Sequence, residues 1–300
     1  MKKNKSRPAV SSHYDATIDI SRDQYDKRAL TDPNLVYPAN YFRLKLLEKS
    51  FKKRKIHRVF EVGVGEGTPL IALAKQGFDV QGLDIAPKMV ETCRENFTKV
   101  GLDPSLVFLA DIQDKKTYGK KLKGKKFDGL IAMGVLPHVE DERKVITNMR
   151  SLVRPGGSVF IEFRNSLFSL FTQNRHTAEF FLTDLLKDVD PKLKKHVKAD
   201  LGKRLRMDQP EIRSRVAHSK APGYDAILSK FHNPFEVKSL FEGRGFKNVD
   251  LLWYHYHPAM PYLQKMDPKL FLKEAVRLEG RIADWRAYFL CSAFVVEARV

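Results

Sequence analysis

Residues 57–67 read HRVFEVGVGEG, and Thr68-Pro69 follows. The apolar run predicts a short strand over 57–64. Thr68-Pro69 then supplies a helix cap and first turn for Leu70, Ile71, Leu73 and Ala74. Glycines at a strand-to-helix turn let backbone approach a ligand closely, and a helix N-terminus offers free N–H groups to an anionic end. Dinucleotide-binding turns use G-x-G-x-x-G in the same place. Counted from Gly63, that spacing puts the third glycine at position 68. Here it is Gly67, which tilts the reading away from a nicotinamide cofactor.

Outward from this turn the chain alternates strand and helix. Strands are predicted over 79–85, 106–110, 127–135 and 158–163. Between them, Pro87 opens a helix with Met89, Val90, Cys93, Phe97 and Val100 on one face, and Val145, Ile146, Met149 and Leu152 mark another, stopped by Pro155-Gly156-Gly157. Such alternation implies a parallel sheet with right-handed crossovers. Residues 166–233 lack a strand-like unit and read as a helical lid. Asn233-Pro234 caps a further helix, 249–256 is a sixth strand, 262–287 a helical insertion and 288–298 the last strand. The division is thus 1–55, a disordered tail (1–10) and helical cap segment broken at Asp32-Pro33 and Tyr37-Pro38; 56–165, the glycine-turn half; 166–233, the lid; and 234–300, the rest of the sheet.

Composition sets bounds. Of 300 residues 43% are apolar and 11% aromatic, as in a globular protein. No stretch of about 18 uncharged apolar residues appears, which speaks against a membrane span, and the basic N-terminus lacks the apolar segment of a secretory signal. Cys93 and Cys291 give neither a disulfide framework nor zinc spacing, so a cytoplasmic setting is expected. The formal charge of +18 admits nucleic acid, an anionic membrane surface or an anionic substrate. Its lysines crowd into 115–126 (Lys115, Lys116, Lys120, Lys121, Lys123, Lys125, Lys126) and a second basic stretch runs over 191–220. The first holds one aromatic, Tyr118, and no arginine, so stacking aromatics of a nucleic-acid surface are missing there.

Later residues narrow the choice. Asp84 ends the second strand about twenty residues past the glycine turn, where an acid binds ribose hydroxyls. Ala110-Asp111-Ile112 ends the third strand. Then come 127–138 (FDGLIAMGVLPH) and, after a helix, Leu152-Val153-Arg154-Pro155-Gly156-Gly157. In this order and spacing, residues 57–165 resemble class I S-adenosylmethionine-dependent methyltransferases. The resemblance implies an α/β, Rossmann-like seven-stranded sheet, parallel with an antiparallel last strand, carrying a helical lid insertion. It implies S-adenosyl-L-methionine as cofactor. Glu61 and the Gly63, Gly65 and Gly67 backbone would hold its methionine end, with the Ala132 and Met133 backbone on the amino group. Asp84 would take the ribose, Asp111 the adenine amino group, and Ile85 and Ile112 the ring faces.

For the reaction, His138 is the candidate catalytic base, just past the fourth strand; a histidine that only caps the next helix is the alternative. Tyr14, Glu162, Arg164, Asn165, Arg175 and His176 are candidate acceptor-binding residues, and Tyr14, Tyr25, Tyr37 and Tyr41 could cover the cofactor. His255 and His257 have a spacing compatible with metal, yet no third ligand is evident and no metal is expected. The expected function is methyl transfer to oxygen or nitrogen of a small polar metabolite; a loose likeness of 158–180 to enzymes of bacterial surface-carbohydrate pathways points to a sugar or nucleotide sugar. The alternatives are an RNA methyltransferase, which the charge favours but Met133–Val135 with Leu136-Pro137-His138 does not, and a non-catalytic cofactor-binding protein.

Overall fold

The computed structural model describes residues 7–15, 30–31, 38–207, 227–280 and 285–300. In chain order its elements are α1 (Arg7–Asp15), α2 (Ala39–Arg54), β1 (Arg58–Val62), α3 (Thr68–Ala74), β2 (Asp79–Asp84), α4 (Pro87–Lys99), β3 (Val107–Leu109), α5 (Gly119–Leu122), β4 (Phe127–Ala132), α6 (Glu142–Arg150), β5 (Val153–Arg164), α7 (Ser169–Thr172), α8 (Arg175–Phe180), α9 (Pro191–Arg204), α10 (Pro234–Glu242), β6 (Lys247–Tyr256), α11 (Pro268–Glu279), α12 (Ala287–Leu290) and β7 (Cys291–Arg299). The sheet order is β3-β2-β1-β4-β5-β7-β6. β7 runs antiparallel to both β5 and β6, and the remaining pairs are parallel, as the resemblance implied.

Both faces of the sheet are buried, which is why its inner strands read as unbroken apolar runs. Phe60, Val62, Leu130 and Ile161 face a core with Val145, Ile146 and Met149 of α6 and Val237 and Phe241 of α10. Val59, Ile131 and Phe160 face the other core, with Leu47 and Phe51 of α2, Leu70 and Leu73 of α3 and Cys93 and Phe97 of α4. The period of two that separates Val59 from Phe60 also puts Glu61 on the α2 side and Glu162 on the same side as Phe160. This alternation matters for the site.

Four sequence expectations need correction. The chain is not a tail as far as residue 10: α1 begins at Arg7, and Ala9 and Val10 are buried against Ile227. Pro155-Gly156-Gly157 does not separate α6 from a strand at Ser158; it lies inside β5 as an irregularity, where the register jumps from Phe127↔Val153 to Gly129↔Ser158. Gly156 takes φ +77° there, a conformation glycine adopts freely, and donates its N–H to the Val300 carbonyl at 2.8 Å. β4 stops at Ala132 rather than Val135. A helical turn, α12, stands where the last strand was expected to start, so β7 begins at Cys291. Of the region 166–233, the described residues hold α7, α8 and α9, and lone bridges pair Asn165↔His232 and Asn174↔Arg206. Among the described residues no helix is long and apolar enough to cross a membrane.

Asp128 pins the end of the sheet away from the glycine turn. Its carboxylate accepts from the backbone N–H groups of His57 (3.1 Å) and Arg58 (2.8 Å) and from Arg154 Nε (2.6 Å). Burial pushes its pKa up, but the Arg154 and backbone hydrogen bonds outweigh this and hold it below the usual range. Asp128→Ala should cost about 2–4 kcal/mol, because two backbone donors lose their acceptor; urea melts check this. The contribution is present above the unfolded carboxyl's pKa and is lost as pH falls through the lower folded value.

Candidate active site

The C-terminal ends of β1, β2, β3, β4 and β5 converge on one crevice, the end of an α/β sheet where ligands bind. The glycine turn lines it. Gly63, Gly65 and Gly67 have φ of +79°, +52° and +82°, all in the region costly for other residues. Their surroundings differ. A Cβ on Gly63 would fall 2.5 Å from Val135 Cγ2 and one on Gly67 2.4 Å from Cys93 Sγ, whereas one on Gly65 would meet nothing within 4 Å. Gly67 therefore lets α3 pack on α4, and Gly65 leaves a space open.

Two acids border that space. Asp84, 8% exposed, accepts from Gly65 N and Ala86 N, both at 2.9 Å. Each of its oxygens thus accepts one backbone N–H. Glu61 is 2% exposed, and among the described residues its Oε2 has no hydrogen-bond partner. A buried acceptor without a donor is costly, so this atom marks where a ligand's donor fits. Burial first, then the neighbouring Asp84, push the Glu61 pKa well up; the Arg43 charge opposes them. Arg43 comes from α2, on the Glu61 side of the sheet. Its Nη1 lies 2.5 Å from Glu162 Oε2, and the buried Tyr254 hydroxyl bonds to both side chains.

The residues that the resemblance assigns to adenine lie at the ends of β2 and β3. Asp111 Oδ1 accepts from Gln113 N at 2.8 Å, and Oδ2 from Arg7 Nη1 at 3.1 Å. Ile85 is half-buried at the rim, while Ile112 is core, its carbonyl accepting from Asn148 Nδ2 at 2.8 Å. Ala132 and Met133 end β4, with the Met133 side chain in the α2-side core.

His138 lies in a turn after β4, only 7% exposed. Its Nδ1 is 2.6 Å from the Leu228 carbonyl, an acceptor, so Nδ1 carries the proton and Nε2 the lone pair. Onto Nε2 converge the Tyr14 hydroxyl at 2.8 Å and Arg164 Nη2 at 3.3 Å. Burial, with the Arg164 charge, holds the imidazole pKa down to about 4; the Leu228 hydrogen bond works against this. At neutral pH the ring is uncharged. Tyr14, half-buried, is pushed up to about 12 by desolvation, so its hydroxyl keeps its proton and donates.

Sequence reasoning missed the strap that sets this geometry. Over 227–232, Leu228 fixes the His138 tautomer and Ser229 Oγ accepts from Arg164 Nη1. Lys230 N bonds to the Pro137 carbonyl, and His232 N to that of Arg164. Nothing local signals such pairing across ninety residues. Arg43 was also missed. Of the acceptor candidates, the structure joins Tyr14 and Arg164 to His138. Asn165 is engaged elsewhere: its Nδ2 donates to the Tyr288 (2.7 Å) and Cys291 (2.8 Å) carbonyls and its Oδ1 accepts from Leu167 N, tying β5 to β7. His176 pairs with Glu179 of its own helix at 3.2 Å and packs on Phe231; Arg175 opens the same helix. Tyr41 packs on Phe42; Tyr25 and Tyr37 lie outside the described residues. His255 and His257 have rings 4.7 Å apart, and no group of three or more potential metal ligands occurs among the described residues.

Comparison with known proteins agrees with this geometry. Residues 60–161 match the family model for a methyltransferase domain. A ubiquinone biosynthesis O-methyltransferase of Coxiella burnetii is 24% identical over 240 residues, covering 80% of this chain and 83% of the relative. Its counterpart in Histophilus somni is 29% identical over 173 residues, 55% of this chain and 71% of that protein. Among solved structures, the [4+2]-cyclase SpnF aligns over 99% of this chain and 97% of its own, with a TM-score of 0.54 and 11% identity, a likeness of fold alone. The methyltransferase-domain match over residues 60–161 and the similarity to O-methyltransferases along most of the chain support an S-adenosylmethionine-dependent methyltransferase.

Proposed function

We propose that the enzyme methylates a hydroxyl of a small molecule, with His138 as general base. The observation that carries this is the neutral His138 whose Nε2 already accepts from a hydroxyl, that of Tyr14, while its Nδ1 donates to the Leu228 carbonyl. The bound cofactor supplies a methyl group on a sulfonium, an electrophile strong enough that orienting the acceptor does much of the work. Glu61 Oε2 would accept from the cofactor's amino group, the Gly63–Gly67 and Ala132–Met133 backbone would hold its methionine end, Asp84 would take the ribose, and Asp111, with Ile85 and Ile112, the adenine. On the acceptor side His138 Nε2 receives the hydroxyl proton, while the Leu228 carbonyl stabilises the ring as it gains charge. Arg164 borders the same nitrogen and would orient the acceptor. The names of the relatives support oxygen as the methylated atom; a sugar is the first acceptor class to screen. A cytoplasmic reaction suits two cysteines that are both free and buried.

Nucleic acid is less favoured as acceptor. Lys125 and Lys126 of the basic cluster reach Gln81 and the Ser151 carbonyl, beside the start of β4 and so away from the crevice. The test is transfer of labelled methyl from S-adenosylmethionine to a panel of alcohols, phenols, amines and RNA. His138→Ala should lower kcat about 10²- to 10⁴-fold with cofactor binding retained. Equal activity in wild type and variant would remove His138 from the mechanism, and transfer confined to RNA would overturn the small-molecule reading.

In the free enzyme the His138 ring should titrate near pH 4, followed by its imidazole NMR signals; an ordinary value near 6.5 would contradict the burial and tautomer described.

A further inference from the structure

The helix α1 runs along the crevice and holds, one after another, the polar atoms that ligands would use. Arg7 Nη1 donates to Asp111 Oδ2 at 3.1 Å. One turn on, Ser11 Oγ donates to the Ile85 carbonyl at 3.3 Å. Near the end of the helix the Tyr14 hydroxyl sits 2.8 Å from His138 Nε2, ring set edge-on at 73° to the imidazole. These three contacts fall at the ends of β3, β2 and β4, in the places assigned above to adenine, the ring's rim and the acceptor hydroxyl.

We propose that α1 is an intramolecular occupant of the active-site crevice, a latch that cofactor and acceptor displace. This rests on the reading of Asp111 and His138 as ligand-facing residues. Arg7 stands in for a nitrogen donor on Asp111, and Tyr14 for the acceptor hydroxyl on the base.

The hold is suited to release. A helix of nine residues is marginal alone in water, where about 12–15 are needed, so α1 depends on its docking contacts. Among the described residues its apolar anchor is small: Ala9, Val10 and Ile227, with Tyr14 packed against them, form a cluster separate from both main cores. The Arg7 guanidinium is 40% exposed, and an ion pair so placed contributes little. Releasing α1 therefore leaves the sheet and its two cores intact.

Displacement makes a prediction opposite to that of a permanent wall. A ligand competing with a latch binds more tightly when the latch is weakened, by the factor by which the closed state was favoured. Val10→Asp puts a charge into the small cluster and should tighten S-adenosylhomocysteine binding to the full chain by about ten-fold. Arg7→Ala should tighten it about two- to three-fold, the worth of an exposed pair. In the wild type, amide hydrogen exchange of residues 9–15 should speed up on addition of S-adenosylhomocysteine. Weaker or unchanged binding in Val10→Asp, or slower exchange in α1 with ligand, would overturn the latch and make α1 a wall that closes over bound cofactor. Absence of binding in wild type and both variants would instead overturn the cofactor site, and the latch with it.

Discussion

Asp84→Ala should abolish cofactor binding while leaving a folded protein, with affinity for S-adenosylhomocysteine falling about a hundredfold or more, the loss of two hydrogen bonds to a charged group. The size follows from position. Asp84 is the acid at the end of β2, and its two oxygens accept from Gly65 N and Ala86 N. Removing the carboxylate frees Gly65 N and Ala86 N, so the turn loses its set as well as its ribose acceptor. Asp84→Asn keeps the shape but presents an amide N–H to one of those two donors, and it should bind little better than the alanine variant. Calorimetry on both variants, with circular dichroism to establish the fold, checks the claim; wild-type affinity in either would remove Asp84 from the cofactor site.

The second large effect separates two glycines that the sequence presents as equivalents. Gly65→Ala should fold and fail to bind, since a methyl group there meets no protein atom within 4 Å and the φ of +52° costs only about 1–2 kcal/mol. The same methyl stands in the space the cofactor needs. Gly67→Ala should fail earlier. Its methyl would lie 2.4 Å from Cys93 Sγ and 3.1 Å from the Phe97 ring, both fully buried, so α3 must part from α4. Overpacking adds about 1–3 kcal/mol to the backbone penalty. Urea melts and S-adenosylhomocysteine titrations of the two variants should therefore move in opposite columns: stability kept and binding lost at position 65, stability lost at 67.

What the chain revealed in advance was whatever is written locally. The β1 run ending in the glycine turn, Asp84 and Asp111 at strand ends, and the Leu136-Pro137-His138 turn were all legible, because a strand buried on both faces is a short apolar word and a ligand-binding end is punctuated by glycine and acid. The unread parts depend on distant partners. RPAVSSHYD has two buried aliphatic residues, Ala9 and Val10, whose partner Ile227 is over two hundred residues on, and so it passed for tail. The tautomer of His138 is set by a carbonyl ninety residues away. Arg43 looks like one more cation of a basic helix until the alternation of β1 and β5 turns Glu61 and Glu162 to its side. Asn165 was placed near the acceptor by its strand, yet the hydrogen bonds of its amide go to the β7 junction, a choice made by tertiary contacts.

The central claim is best tested by titrating the full chain with S-adenosylmethionine, S-adenosylhomocysteine and NADH in a calorimeter. The account predicts saturable binding of the first two at one site, with no heat from NADH. Binding of NADH alone, at a turn whose third glycine falls at 67, would contradict it.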